Sequence, residues 1–203
     1  MRKLWGRLTS VNVQKAVWAL DEAGLAYERI EAGGAHGVVD DPAYRAKNPN
    51  GLVPTLEEDG FVLWESNAIL RYVAAIAPAL AYPADPRERA QIEQWLDWQA
   101  TTFTPAMRDA FWQLYRSSNP DQTVIAASLK RTEALAAILD AHLSDRNYAI
   151  GQTFGIADIA LGCAAHRWLN LPAERVERPA LRRWYERIAA RPAAARALGE
   201  PIA

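Results

Sequence analysis

The apolar positions of this chain follow two rhythms. Lys3-Leu4-Trp5 is a short strand candidate stopped by Gly6, and from Val11 the positions Val13, Ala16, Val17 and Leu20 recur at helical spacing until Gly24. Residues 27–30 read as a second strand, and the polar, glycine-rich stretch 32–41 offers little regular structure. Residues 55–57 and 61–63 flank Glu58-Asp59-Gly60, a tight hairpin signal, and a helix from about Ser66 turns Ile69, Leu70, Val73 and Ile76 inward. A β-α-β unit followed by a hairpin and a helix predicts a small mixed sheet covered by helices. Pro78 ends that pattern, and Pro83 and Pro86 stiffen the connector. Beyond it every periodic segment is helical: 87–116, with Trp95, Trp98 and Phe103 and a bend at Pro105; then 124–143, 156–169, 180–190 and 193–198. The expectation is an α/β domain over residues 1–78, a linker over 79–86 and an all-helical domain over 87–203.

Composition narrows the function classes. Lys+Arg 23 against Asp+Glu 24 leaves a net charge of −1, and neither half carries the basic excess that nucleic acid or an anionic membrane favours. No apolar run approaches the ~20 residues of a membrane span. The opening Met1-Arg2-Lys3-Leu4-Trp5-Gly6 has no apolar stretch of a signal peptide's kind. The one cysteine, Cys163, lies among Ala160, Leu161 and Ala164; it reads as a buried core thiol and fits a reducing, cytoplasmic compartment. His36, His142 and His166 show no ligand spacing, so no metal is expected.

Three stretches of the first half carry candidate chemistry. Gly6-Arg7-Leu8-Thr9-Ser10-Val11-Asn12-Val13 is a strand-to-helix turn ending at a hydroxyl. Ser10 is a natural N-cap there, and the same position, at the positive end of a helix, favours a developing thiolate. Asn48-Pro49-Asn50-Gly51-Leu52-Val53-Pro54-Thr55-Leu56 puts a proline at the entry to a strand. That proline either begins the strand or sits in a cis bond that turns the Val53 backbone toward a peptide ligand. In Trp64-Glu65-Ser66-Asn67, the acidic and hydroxyl residues stand at a helix start, where capping alone accounts for them.

Taken in order, these motifs resemble the glutathione S-transferase family, in particular its serine-type phi and theta classes in a bacterial form. The similarity continues through Trp95-Leu96-Asp97-Trp98 and Thr153-Phe154-Gly155-Ile156-Ala157-Asp158-Ile159, so it spans nearly the whole chain. It implies a thioredoxin-like N-terminal domain and an all-α C-terminal domain, glutathione as co-substrate, and a homodimer. It puts the catalytic hydroxyl on Ser10 and glutathione binding on Leu52, Val53, Pro54, Glu65 and Ser66. The Val53 backbone would pair with the cysteinyl portion, and Glu65 and Ser66 would hold the γ-glutamyl group. Thr9 is a competing hydroxyl, but only Ser10 leaves Asn12 in the family's usual place. Tyrosine is absent between residues 5 and 12, and no cysteine occupies the loop; the tyrosine-type classes and disulfide-exchange relatives are disfavoured.

Two departures stand out. Gly155 occupies the place where the family has a Ser or Thr N-cap, while Asp158 remains. The basic pair with which phi-class members grip the glycyl carboxylate is replaced by Val39 and Asp40, leaving His36, Arg45 or Lys47 as substitutes. A small hydrophobic electrophile is expected between Ser10 and the first long helix of the helical half, where Pro105, Arg108 and Trp112 fall near one helix face; core packing accounts for Trp112 equally well, and a solvated surface charge for Arg108. Dehalogenation, isomerisation and peroxide reduction are other glutathione chemistries the same serine supports, and a non-catalytic binding protein on this fold is the alternative of a different class.

Overall fold

The fold, taken from a computed structural model that describes residues 1–80, 82–200 and 202, divides into two compact units: residues 1–82 with 191–202, and residues 83–190. Position 81 of the expected linker, and positions 201 and 203 at the end of the expected helical domain, lie outside the described residues.

The first unit is built on a four-stranded sheet in the order β2-β1-β3-β4, with β1 at Lys3–Trp5, β2 at Glu28–Ile30, β3 at Thr55–Glu58 and β4 at Phe61–Trp64. β1 runs parallel to β2 and antiparallel to β3, and β3 and β4 form the hairpin. Asp59 (φ 49°) and Gly60 (φ 85°) turn that hairpin with two left-handed residues, the backbone that matches the twist of paired strands. Helix α1 (Val11–Glu22) joins β1 to β2; its inward positions Val13, Ala16, Val17 and Leu20 are fully buried. Helix α3 (Ser66–Ile76) follows β4 and buries Ile69, Leu70 and Val73. It stops at Ala77, held extended (φ −128°, ψ 111°) by the proline that follows. The stretch with little regular periodicity contains a 3₁₀ turn, Gly34–His36, and leads to the one-turn helix α2 (Pro42–Arg45).

The second unit holds α4 (Pro86–Trp98), α5 (Thr104–Tyr115), α6 (Gln122–His142), α7 (Ile156–Asn170) and α8 (Pro179–Ala189). The single long helix expected over 87–116 is interrupted by a π-helical turn, Gln99–Phe103. Pro105, which has no N–H to give the preceding turn, enters directly after that widened turn as an early residue of α5. Trp98 stacks on Phe103 with ring centroids 5.2 Å apart. Cys163 is fully buried on α7, as its neighbours imply.

One buried carboxylate organises this unit. Asp158, 1% exposed, accepts hydrogen bonds from the N–H groups of Ala149 (2.7 Å) and Gly155 (3.1 Å) and from the Trp184 indole (2.8 Å). Glycine at the N-cap of α7 is therefore compensated: the helix start is fixed by Asp158 reaching back to the Gly155 amide.

The segment 193–198, grouped by its sequence with the helical half, forms α9 (Pro192–Leu198) and packs on α1 in the first unit. Arg191 binds the Glu22 carboxylate and the Arg196 guanidinium lies 5.3 Å from the Tyr27 ring. Its inward residues, Ala194 and Ala197, carry too little apolar area to announce a partner in the sequence.

Candidate active site

The loop from β1 to α1 is tightly drawn. A side chain at Gly6 would meet Val13 Cγ2 at 2.4 Å, so only glycine lets the strand end this close to the helix. The Gly6 N–H donates to Ile30 O at 2.8 Å, and the Ser10 N–H to Arg7 O at 3.2 Å. Ser10 is then the N-cap of α1 in extended conformation (φ −88°, ψ 120°), its carbonyl accepting from the Gln14 N–H at 3.0 Å. Its hydroxyl makes no capping hydrogen bond. The structural role that a serine here would ordinarily serve belongs to its backbone alone, and the half-buried Oγ stands at the positive end of a 12-residue helix.

The Asn48–Pro54 loop is held from beneath. The Asn48 amide, 2% exposed, donates to Leu52 O at 2.9 Å and Thr55 Oγ1 at 3.1 Å. The Tyr44 hydroxyl donates to the same Leu52 carbonyl at 2.6 Å and lies 2.8 Å from Thr55 Oγ1; burial pushes the phenol up, keeping it a neutral donor. The Val53–Pro54 peptide is cis. Of the two backbone geometries open in the sequence, this is the second. Tyr44 is a positioning residue that the sequence reading missed, since nothing in its spacing links it to the loop ten residues on.

At the start of α3, Glu65 sits at φ 72°, ψ 114°, a conformation that costs a non-glycine residue about 1–3 kcal/mol. Glu65 is exposed, whereas Ser66 beside it is 5% exposed and donates to Asn12 Oδ1 at 3.2 Å. Lys15, 1% exposed, donates to Ser66 Oγ at 3.3 Å and Asn67 Oδ1 at 3.1 Å. These bonds tie α1 to α3 beneath a cleft of about 50 Å³. Leu52, Val53, Pro54, Glu65 and Ser66 all line that cleft, together with Asn12, Asn48 and Trp64. All five expected glutathione-binding residues therefore meet at one place; Ser10 is not in its wall, but Asn12, two residues on, is.

The substitutes for the missing basic pair are each engaged with a carboxylate. Arg45 pairs with Asp40 at 2.7 Å and also holds Pro49 O at 3.0 Å; Lys47 pairs with Glu57 at 2.7 Å; His36 lies 3.6 Å from Glu31. Asp40 thus serves to orient the cation that braces the Asn48–Pro54 loop. The Arg7 guanidinium, unmarked in the sequence, lies against Gly33 and Gly34, beside the Val53 side chain.

In the second unit, Pro105, Arg108 and Trp112 form an exposed stripe on α5, while Met107, Ala110 and Phe111 face inward. Trp112 is 60% exposed; it is not a core residue. Among the described residues no group of three His, Cys, Asp or Glu side chains is placed to hold a metal, and no helix is long and apolar enough to cross a membrane.

Known proteins share this arrangement. Residues 2–75 match the glutathione S-transferase N-terminal domain family and residues 103–192 the glutathione S-transferase C-terminal domain family. The chain is 40% identical to glutathione S-transferase GstB of Escherichia coli over the full length of both. It is 30% identical to the probable glutathione S-transferase GSTF2 of rice, covering 94% of this chain and 92% of that one. A theta-class glutathione S-transferase of Xanthomonas axonopodis pv. citri, solved with glutathione bound, superposes with a TM-score of 0.95 at 47% identity, covering 100% of this chain and 99% of the other. With both family domains matched in order and a full-length relative at this identity, the chain belongs to the glutathione S-transferase family.

Proposed function

We propose that this transferase conjugates the sulfur of glutathione to small hydrophobic electrophiles, with Ser10 as the hydroxyl that holds the thiolate. The observation that carries the reading is the Ser10 hydroxyl, at the N-terminus of α1 yet unused in capping it. A cysteine thiol of pKa about 8.5 is only ~3% ionised at pH 7. Lowering it by about 1.5 units takes roughly 2 kcal/mol of preferential interaction with the anion. One hydrogen bond to a charged acceptor contributes about 1.5–3 kcal/mol and the helix end about 0.3–1 kcal/mol, so the two suffice without a general base.

Residues 1–78 are taken as the glutathione-binding domain, 79–86 as the linker and 87–203, apart from the last helix that packs on α1 in the first unit, as the domain facing the electrophile. In this reading the Val53 backbone pairs with the cysteinyl unit between Leu52 and Pro54. The Glu65 carboxylate faces the γ-glutamyl ammonium, and Ser66 with the first N–H groups of α3 receives the carboxylate of the same group. Electrophile binding is assigned to Pro105, Arg108 and Trp112, whose exposed apolar and cationic surface suits an aromatic substrate bearing a polar substituent. Trp112→Ala should raise the electrophile KM about tenfold through lost apolar contact and leave the glutathione KM unchanged; steady-state kinetics with both substrates varied checks this.

The same reading makes the protein a cytoplasmic homodimer acting in detoxification, consistent with its buried free thiol. The engaged state of Arg45, Lys47 and His36 supports modest glutathione affinity, and this is the observation that favours a binding protein as second reading. Retention on immobilised glutathione, followed by assays with an aryl halide, a haloalkane, an isomerisable double bond and a hydroperoxide, separates these functions. Aryl-halide conjugation well above the uncatalysed rate is expected; retention without turnover of any electrophile overturns the catalytic reading.

A further inference from the structure

Away from the glutathione cleft, the second unit holds a pocket of about 190 Å³ formed by α4, the end of α6 and the turn beyond it. Gln91, Gln94 and Trp95 are three and four residues apart, so they share one face of α4. His142, in the last turn of α6, completes the wall with Arg146 and Gly151. This wall is preorganised. The His142 and Trp95 ring centroids are 4.3 Å apart, and the imidazole donates from Nε2 to Ala149 O at 2.7 Å. The Ala149 N–H is held in turn by the Asp158 carboxylate at 2.7 Å.

The chemistry of the wall is one-sided. Among the described residues that line it there is one guanidinium, Arg146, and no carboxylate. The Gln91 and Gln94 amides and the Trp95 indole N–H have no hydrogen-bond partner among the described residues. Arg146 gives Nη1 to His142 O and to the exposed Asp145, both at 2.7 Å, which leaves Nε and Nη2 to donate. An exposed ion pair of this kind contributes little, so an anion in the pocket competes for the guanidinium at small cost. Arg183 and Arg187 donate to the Leu143 and Asn147 carbonyls, each at 3.0 Å, adding two more cations along the same turn. From this excess of donors we infer that the pocket binds a compact oxyanion, the phosphate or carboxylate group of a small molecule. The Arg146 fork faces two of its oxygens, and the N–H groups of Gln91, Gln94 and Trp95 complete the shell. Little ordering is needed on binding, because the stacked His142 ring and the Ala149 peptide are already fixed. None of these residues belongs to the glutathione cleft or to the α5 stripe, and the site is independent of the conjugation mechanism.

The test is a titration of the nitrogen-15-labelled protein near pH 7 with inorganic phosphate and, separately, with succinate. Chloride holds the ionic strength constant, so screening does not change. The eight tryptophan indole N–H signals, assigned by replacing one tryptophan at a time with phenylalanine, report where the anion goes. The Trp95 signal should move saturably with at least one of the two anions, with a dissociation constant of about 1–10 mM; which anion does so tells a phosphate-bearing ligand from a carboxylate-bearing one. Gln91→Glu, at an exposed position of α4 that no described hydrogen bond uses, sets a carboxylate against the anion and should weaken binding about fivefold or more. Arg146→Gln, which removes the charge, should do the same. A Trp95 signal unmoved by both anions, or an equal drift of all the indoles, overturns the site. So does saturation at Trp64, in the wall of the glutathione cleft, in place of Trp95, and so does undiminished affinity in Gln91→Glu.

Discussion

Ser10→Ala should lower kcat/KM for aryl-halide conjugation about 10- to 100-fold at pH 7, because in the proposed mechanism the hydroxyl interacts with the anion and not with the thiol. Glutathione affinity should change little, since the proposed γ-glutamyl and cysteinyl contacts are on Val53, Glu65 and Ser66. The deficit should shrink as pH rises toward the ordinary thiol pKa of about 8.5, where ionisation needs no help. Stability distinguishes this role from a structural one. An N-cap hydroxyl typically contributes ~1 kcal/mol, or about 2–4 °C in Tm for a chain of this size. The Ser10 hydroxyl makes no such bond, so the variant should melt within about 1 °C of wild type. Equal rates for the two proteins, or a loss of rate accompanied by a loss of stability, contradicts the assignment.

Asp158→Ala is expected to have the largest effect on folding. It strips the acceptor from three buried donors, Ala149 N–H, Gly155 N–H and Trp184 Nε1–H, and unsatisfied groups of this kind cost about 1–3 kcal/mol each. A net loss of about 3–5 kcal/mol follows, corresponding to a Tm lowered by about 10 °C or more; thermal unfolding followed by circular dichroism measures it. The pH dependence has a definite sign. Burial pushes the Asp158 carboxyl up to about 6 from its ordinary 3.8. The folded chain therefore takes up a proton near pH 6 and the unfolded chain only near pH 4. Between these values acidification favours the folded state through this group, by up to about 1.4 kcal/mol per pH unit. Measured against Asp158→Asn, wild type should gain relative stability from pH 7 to pH 5; a relative loss over that range would show that the hydrogen bonds hold the carboxylate ionised.

Much of this was legible in the chain because local chemistry and fold agree there. Asp59-Gly60 announces the hairpin since few residues tolerate two left-handed positions, and Pro78 forces Ala77 out of the helix by a clash within the backbone. The motifs around Ser10, Val53-Pro54 and Glu65-Ser66 are contiguous, so sequence proximity alone delivers most of each cluster. What stayed hidden depends on distant partners. Lys15 occupies an inward helical position, but a lysine there reads as an edge residue until the polar groups of α3 are brought over it. Tyr44 reaches Leu52 and Thr55 by folding back over its own loop. The π turn at Gln99–Phe103 leaves no compositional mark beyond Pro105 two residues later, and α9 finds α1 through two alanines and arginine pairs rather than through a strong apolar stripe.

The thiol of bound glutathione is the point on which this account turns, and its ionisation can be read directly from thiolate absorbance near 240 nm as pH is varied. With wild type, half-ionisation is expected at or below about pH 7, and with Ser10→Ala about one unit or more higher. A sulfur that stays protonated to pH 8 in the wild-type complex, or that titrates identically in both proteins, would contradict it.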